Sequence, residues 1–156
     1  MVDDRKDITL VLSKAFEKYI NPTNDPRIYY AKEVTFDYGT SKQVRVDYMR
    51  FKPINNSISG IEKGDFYCYE IKSCLDDFNS KNGHNFIGDY NYYVMTRELY
   101  GQVKGIIPYY VGVLVNDGCT LISVKRSQRK DREKPLSEMM LMMFRSSNRD
   151  RNKTLM

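Results

Sequence analysis

Glu70 and Lys72 stand one residue apart in FYCYEIKSC (66–74), two opposite charges inside a run of aromatic and aliphatic residues that otherwise reads as a buried strand. Residues two apart in a strand share a face, so Glu70 and Lys72 point one way and Tyr69 and Ile71 the other. The preceding run, QVRVDYMRF (43–51), puts Val44, Val46 and Tyr48 on one face and leaves Arg45, Asp47 and Met49 on the opposite one. If the two strands pair, Asp47 lies next to Glu70. Two carboxylates converging on a sheet face repel unless a cation joins them, and a hard divalent ion such as Mg2+ or Mn2+ takes oxygen ligands while keeping several waters. The expected ligands are Asp47, Glu70 and the main-chain carbonyl of Ile71, which passes the same spot. An ammonium beside such an ion can hold its water in line with a phosphorus atom and offset charge on the phosphoryl oxygens, which is the task expected of Lys72. That chemistry is phosphodiester hydrolysis. The plainer reading of Glu70 and Lys72 is an ion pair on an exposed sheet face, and the chain holds a second acid-x-Lys triplet, Asp4-Arg5-Lys6.

The elements that must position these groups are legible in outline. DITLVLSKAFEKYI (7–20) has Ile8, Val11, Leu12, Ala15, Phe16 and Tyr19 at helical spacing, with Asp7 as N-cap and NPTNDP as the stop. IYYAKEVTF and QVRVDYMRF alternate as strands, joined by DYGTSK as an antiparallel hairpin. Residues 52–65 read as a flexible loop, and the pattern from Cys74 to about Gly88 reads as a helix. YNYYVMT is a strand, RELYGQVKGII a short helix stopped by Pro108, and YYVGVLV and CTLISVKR two more strands. From Pro135, PLSEMMLMMF starts a last helix that dissolves into the charged tail 146–156. This order predicts an α/β fold, a mixed central β-sheet flanked by helices, in a single domain over 1–156.

Composition narrows the class. Lys plus Arg number 25 against 20 Asp plus Glu, and the resulting net charge of +5 mildly favours a polyanionic partner such as DNA. Three cysteines without a CxxC pair argue against a disulfide framework or a zinc ribbon and for a reducing, cytoplasmic setting. No apolar run is long enough to span a bilayer, and MVDDRKDITL has no secretory signal, so no membrane partner is expected.

VRVDYMRF followed by FYCYEIKSCLDDF resembles the PD-(D/E)XK nuclease superfamily, with Asp47 as the first acidic position and Glu70-Ile71-Lys72 as the second motif. The continuation EIKSCLDDFNSKNGHNFIGDYNYYVMT and GVLV is similar to the MmcB-like DNA repair proteins, over about residues 30–125. The resemblance implies a restriction-endonuclease-like core and Mg2+-dependent cleavage of nucleic acid, with Asp47 and Glu70 as metal ligands and Lys72 as the water-orienting cation. It also implies an acidic residue from the first helix, here Glu17, and a basic or amide residue from the helix after Lys72, here Lys81 or His84. Val46 stands where many members have proline.

Each further candidate has a plainer role. Glu17 on the polar side of its helix suits a solvated charge, and Glu33 in AKEVTF is its rival for the same place. His84 is either a surface histidine or a phosphate or water contact. Asp76 and Asp77 favour a helix N-terminus. Lys125, Arg126, Arg129 and Lys130, in VKRSQRKDREK, are either a solvated loop or an arm that binds DNA phosphates. In each of the doublets Tyr29-Tyr30, Tyr92-Tyr93 and Tyr109-Tyr110, one ring should pack inward while the other stays half exposed. EMMLMMF is apolar all round, for core packing or a homodimer contact. The two functional classes are therefore a metal-dependent endonuclease or nickase of repair, restriction or mobile-element type, and a non-catalytic nucleic-acid or protein-binding module on a nuclease-derived fold.

Overall fold

A computed structural model of the chain describes residues 4–80 and 82–155. Its elements are α1 (Asp4–Ile20), β1 (Tyr29–Phe36), β2 (Val44–Lys52), α2 (Ile58–Glu62), β3 (Asp65–Lys72), α3 (Leu75–Asn79), β4 (Tyr90–Met95), α4 (Arg97–Val103, extended by a 3-10 turn over Lys104–Ile106), β5 (Val111–Asp117), β6 (Thr120–Lys125) and α5 (Leu136–Leu155). The strands form one six-stranded sheet in the order β1-β2-β3-β4-β5-β6. β1, β2 and β3 are antiparallel neighbours, β3, β4 and β5 run parallel, and β6 returns antiparallel. The sheet is therefore mixed and flanked by helices.

Helices cover the two faces differently. On one face Leu12, Phe16 and Ile20 of α1 bury against Tyr48, Tyr69, Ile71, Val94 and Leu114. On the other, Met139 and Met143 of α5 cover Val46, Met49, Phe51, Phe66 and Cys68. Farther along that face Phe78 of α3 with Leu99 and Val103 of α4 cover Tyr93, Met95 and Val113. Alternation in β3 puts Glu70 and Lys72 on the face of Phe66 and Cys68, in the gap between these two apolar clusters. Burying each apolar side chain contributes on the order of 1.5–3 kcal/mol, which is what holds a polar seam in place between them.

Several expectations are corrected. α1 already includes Asp4, so Asp7 is inside the helix and not its cap. The buried stripe uses Leu12, Ala15, Phe16 and Ile20, while Val11 and Tyr19 are exposed. The flexible loop over 52–65 contains α2, capped by the Ser57 hydroxyl on the Gly60 N–H. The helix after Cys74 is only α3, and α5 continues through the charged tail to Leu155. Tyr109 and Tyr110 form a turn ahead of β5, in which the Val111 N–H donates to the Pro108 carbonyl at 3.1 Å. Among the described residues no helix is long and apolar enough to cross a membrane.

The alternation expected for β2 is also broken. Val46 packs with Met49 and Phe51 under α5, whereas Tyr48 packs under α1. β1 has the matching irregularity: Ala31 and Val34 both face α5, and Glu33 between them has φ +53°. The Lys32 and Glu33 carbonyls turn to α5, where the Ser146 hydroxyl donates to Lys32 and the Arg149 guanidinium to both, at 3.0 and 3.1 Å.

Candidate functional site

Asp47 sits where the pairing of β2 with β3 stops, the last partners being Tyr48 and Tyr69. Its Oδ2 accepts a 2.8 Å hydrogen bond from the Ile71 N–H, so a side-chain carboxylate takes over the acceptor that the next rung would have supplied. That bond carries the Asp47 carboxyl to the Glu70 carboxyl, and the two are close enough to share a hydrogen bond.

Glu70 and Lys72 are both fully buried, at 1% and 2% exposure, which rules out an exposed surface ion pair. Burial, and then the adjacent Asp47 charge, push the Glu70 carboxyl up to about 9. Burial raises Asp47 as well, against the lowering effect of the Ile71 N–H. Glu70 Oε2 is buried and receives no hydrogen bond from any donor among the described residues. Either a proton shared between the carboxyls or a cation beside them satisfies it. Glu70 Oε1 is 3.5 Å from the Asn85 side-chain amide, which also donates to the Arg45 carbonyl at 2.8 Å.

The Lys72 ammonium is held by main-chain carbonyls. It donates to Asn82 at 2.7 Å and to Asp77 at 3.2 Å, and burial lowers its pKa. An ammonium has three N–H groups, so one remains for another acceptor. Gly83, with φ +76°, lies directly over it: a Cβ there would come within 2.6 Å of Lys72 Nζ and 3.4 Å of Glu70 Oε2. Asp77 accepts from the main-chain N–H and hydroxyl of Ser73 and pairs with Arg5 at 2.9 Å, which fixes the start of α3.

The remaining candidates are placed elsewhere. Glu17 belongs to α1 on the opposite sheet face, near Tyr48, with Lys32 at 3.9 Å. Glu33 is drawn toward Arg149 at 3.9 Å. Neither joins the carboxylates, because the break in β1 turns Glu33 away and the sheet itself separates Glu17. Lys81 lies outside the described residues. His84 is next to the site but both ring nitrogens are engaged: Nδ1 with the Tyr93 hydroxyl at 2.6 Å, and Nε2 with the carbonyls of Phe78 and Ser80 at 2.8 and 3.0 Å. Two carbonyl acceptors require a proton on Nε2, so His84 pins the segment after α3 in place of meeting water or phosphate.

Most of the basic run is likewise committed. Lys125 donates to the Pro108 carbonyl, Arg129 pairs with Asp65 and Asp89, and Lys130 lies over the Tyr110 ring, while Arg126 is exposed. No local pattern marks Asp89 or Asn91, both fully buried. Asp89 accepts from the Phe66 N–H at 2.8 Å and pairs with Arg132 at 2.6 Å, and the Asn91 side chain bonds both main-chain groups of Gly88. Their buried acceptors and donors anchor the strap that runs past the carboxylates.

Two carboxylates suit an ion that keeps most of its waters, and the buried Oε2 of Glu70, without a donor among the described residues, is the feature that fits a cation here. Among the described residues no group of three or more His, Cys, Asp or Glu side chains gathers around one point. No family model matches the chain, and no curated protein matches it. Among solved structures the chain is similar to the SPO1766 protein of unknown function from Silicibacter pomeroyi, with a TM-score of 0.64 and 16% identity over 95% of this chain and 90% of that one. A likeness at that identity concerns the fold, a mixed α/β sheet flanked by helices.

Proposed function

We propose that the chain is a metal-dependent nuclease that hydrolyses phosphodiester bonds in DNA, on a restriction-endonuclease-like core of the kind the PD-(D/E)XK resemblance implies. The observation that carries this is the pair Asp47 and Glu70, two carboxyls brought together on a buried sheet face, with Glu70 Oε2 lacking any donor among the described residues. Folding such a pair without a cation or a shared proton costs desolvation and repulsion together, so the arrangement is hard to account for as packing alone.

Asp47 and Glu70, with the Ile71 main-chain carbonyl, would hold Mg2+ or Mn2+. Such an ion supplies polarisation of a phosphoryl oxygen and a more acidic water. The chain's own residues do the rest. The Ile71 N–H orients Asp47, and Asn85 orients Glu70. Lys72, held by Asn82 and Asp77, keeps one N–H for a phosphoryl oxygen or water, and its burial makes that charge effective. Gly83 leaves the space above the ammonium clear of a side chain. The experiment is cleavage of plasmid and structured DNA in Mg2+ or Mn2+, which Asp47→Asn and Glu70→Gln abolish while circular dichroism stays native. Failure to cut any DNA form in either metal overturns it.

A second reading, a non-catalytic binding module on the same fold, draws on the two carbonyls that already occupy Lys72 and on the burial of Glu70. It expects salt-sensitive nucleic-acid binding with no metal requirement and indifference to both substitutions.

A further inference from the structure

The turn ahead of β5 presents a large ring to solvent on a rigid support. Tyr109 is 74% exposed and its neighbour Ile106 66%. An exposed ring on a loose loop would be unremarkable, but this turn is tied at both carbonyls. Pro108 accepts from the Val111 N–H at 3.1 Å and from the Lys125 ammonium at 2.8 Å. Tyr110 accepts from the Gln128 N–H and the Ser127 hydroxyl, each at 2.9 Å. Tyr110 in turn meets Tyr109 edge-on at 5.5 Å and carries the Lys130 ammonium 5.3 Å from its ring centre.

The two segments that form and tie this turn carry charge of one sign. Residues 104–110 and 124–130 contain Lys104, Lys125, Arg126, Arg129 and Lys130 and no acidic residue. Arg129 is spent on Asp65 and Asp89, Arg126 is exposed, and the Lys125 and Lys130 ammoniums are seated on the turn itself, on the Pro108 carbonyl and over the Tyr110 ring, each with N–H groups left for an anion. A fixed, exposed π-face among cations complements a ligand that combines a flat aromatic surface with closely spaced anions.

We propose that Tyr109 is a stacking platform for an unpaired base of single-stranded nucleic acid, with the turn-seated Lys125 and Lys130 and the exposed Arg126 drawing the adjoining phosphates. The base must be unpaired, because both faces of a base inside a duplex are covered by its neighbours; a duplex would feel only the charge. The inference rests on the nuclease reading only for the ligand class, and it specifies the form of substrate taken. A series of rings connects the platform to the carboxylates: Tyr110 to Phe86 at 5.8 Å, Phe86 to Tyr93 at 5.4 Å, and Tyr93 in register with Glu70 across β3 and β4.

The test is fluorescence anisotropy of a labelled oligothymidylate, a duplex of equal length and a heparin oligosaccharide, all in EDTA so that no cleavage occurs. Tyr109→Ala weakens single-strand binding roughly tenfold or more and leaves duplex and heparin binding unchanged, and Tyr109→Phe matches the parent. Equal loss on all three ligands, no loss on any, or no single-strand binding by the parent overturns the proposal. Cleavage measured separately in Mg2+ keeps the two ideas apart: a stacking signature without cutting refutes the nuclease, and cutting without the signature refutes the platform.

Discussion

The Asp47 carboxylate and the Ile71 N–H meet at 2.8 Å at the point where β2 and β3 stop pairing. One hydrogen bond thus does two things. It satisfies a strand N–H that would otherwise be left open, and it fixes a second carboxyl against the buried Glu70. An Asp47→Ala change therefore removes a proposed ligand and a main-chain acceptor together, at a cost of about 1–3 kcal/mol, whereas Asp47→Asn keeps an acceptor and isolates the charge. Chemical denaturation of the two variants beside the parent checks this.

Stability should depend on pH through Glu70. Its carboxyl is raised from 4.5 to about 9 in the folded chain, so the folded state binds the proton more tightly than the unfolded one. That contribution is fully present below pH 4.5 and is lost as pH rises toward 9. Asp47, also raised, acts in the same direction, while Lys72, lowered by burial, gains stability over the upper part of the range as it can shed its charge. The melting temperature in EDTA falls from pH 5 to pH 9, by less than Glu70 alone would give. Added Mg2+ restores it at the alkaline end, and Glu70→Gln flattens the profile.

Gly83 and Gly39 both have positive φ, at +76° and +78°, but only Gly83 has neighbours. Alanine at Gly39 pays the left-handed backbone cost alone, about 1–2 kcal/mol. Alanine at Gly83 pays that cost and also drives a methyl to within 2.6 Å of Lys72 Nζ. Thermal melts of the two variants should separate, with Gly83→Ala the less stable and the one that loses the proposed cleavage.

Asp89 is buried between the Phe66 N–H and Arg132. Asp89→Ala leaves a guanidinium and a strand N–H without their acceptor and costs roughly 3 kcal/mol or more. Hydrogen exchange should show residues 126–134 released first, since Arg129 and Arg132 both tie that segment to Asp89.

The shared face of Glu70 and Lys72 was legible because β3 alternates strictly, Phe66 and Cys68 on one side and Tyr67, Tyr69 and Ile71 on the other. The approach of Asp47 was expected from an alternation that β2 does not keep. The matching break in β1 lies at Glu33, where hydrogen bonds arrive from α5 more than a hundred residues away, a contact no local pattern encodes. The same distance hid the length of α5: RSSNRDRNKTL has little apolar periodicity, yet Ser146 and Arg149 bind β1. His84 and Lys125 were visible as polar residues in the right regions, but their engagement by backbone carbonyls depends on the short α3 and the Pro108 turn. Asp89 and Asn91 gave no signal because a buried polar residue looks like a surface one until its partners are known.

Isothermal titration of Mn2+ into the parent chain, Asp47→Asn and Glu70→Gln near neutral pH is the most direct test of the claim that these two carboxyls share an ion. A site present in the parent and lost in each variant, with all three folded, is the predicted result. Binding that persists unchanged when both residues are replaced, or no binding to the parent at all, contradicts it.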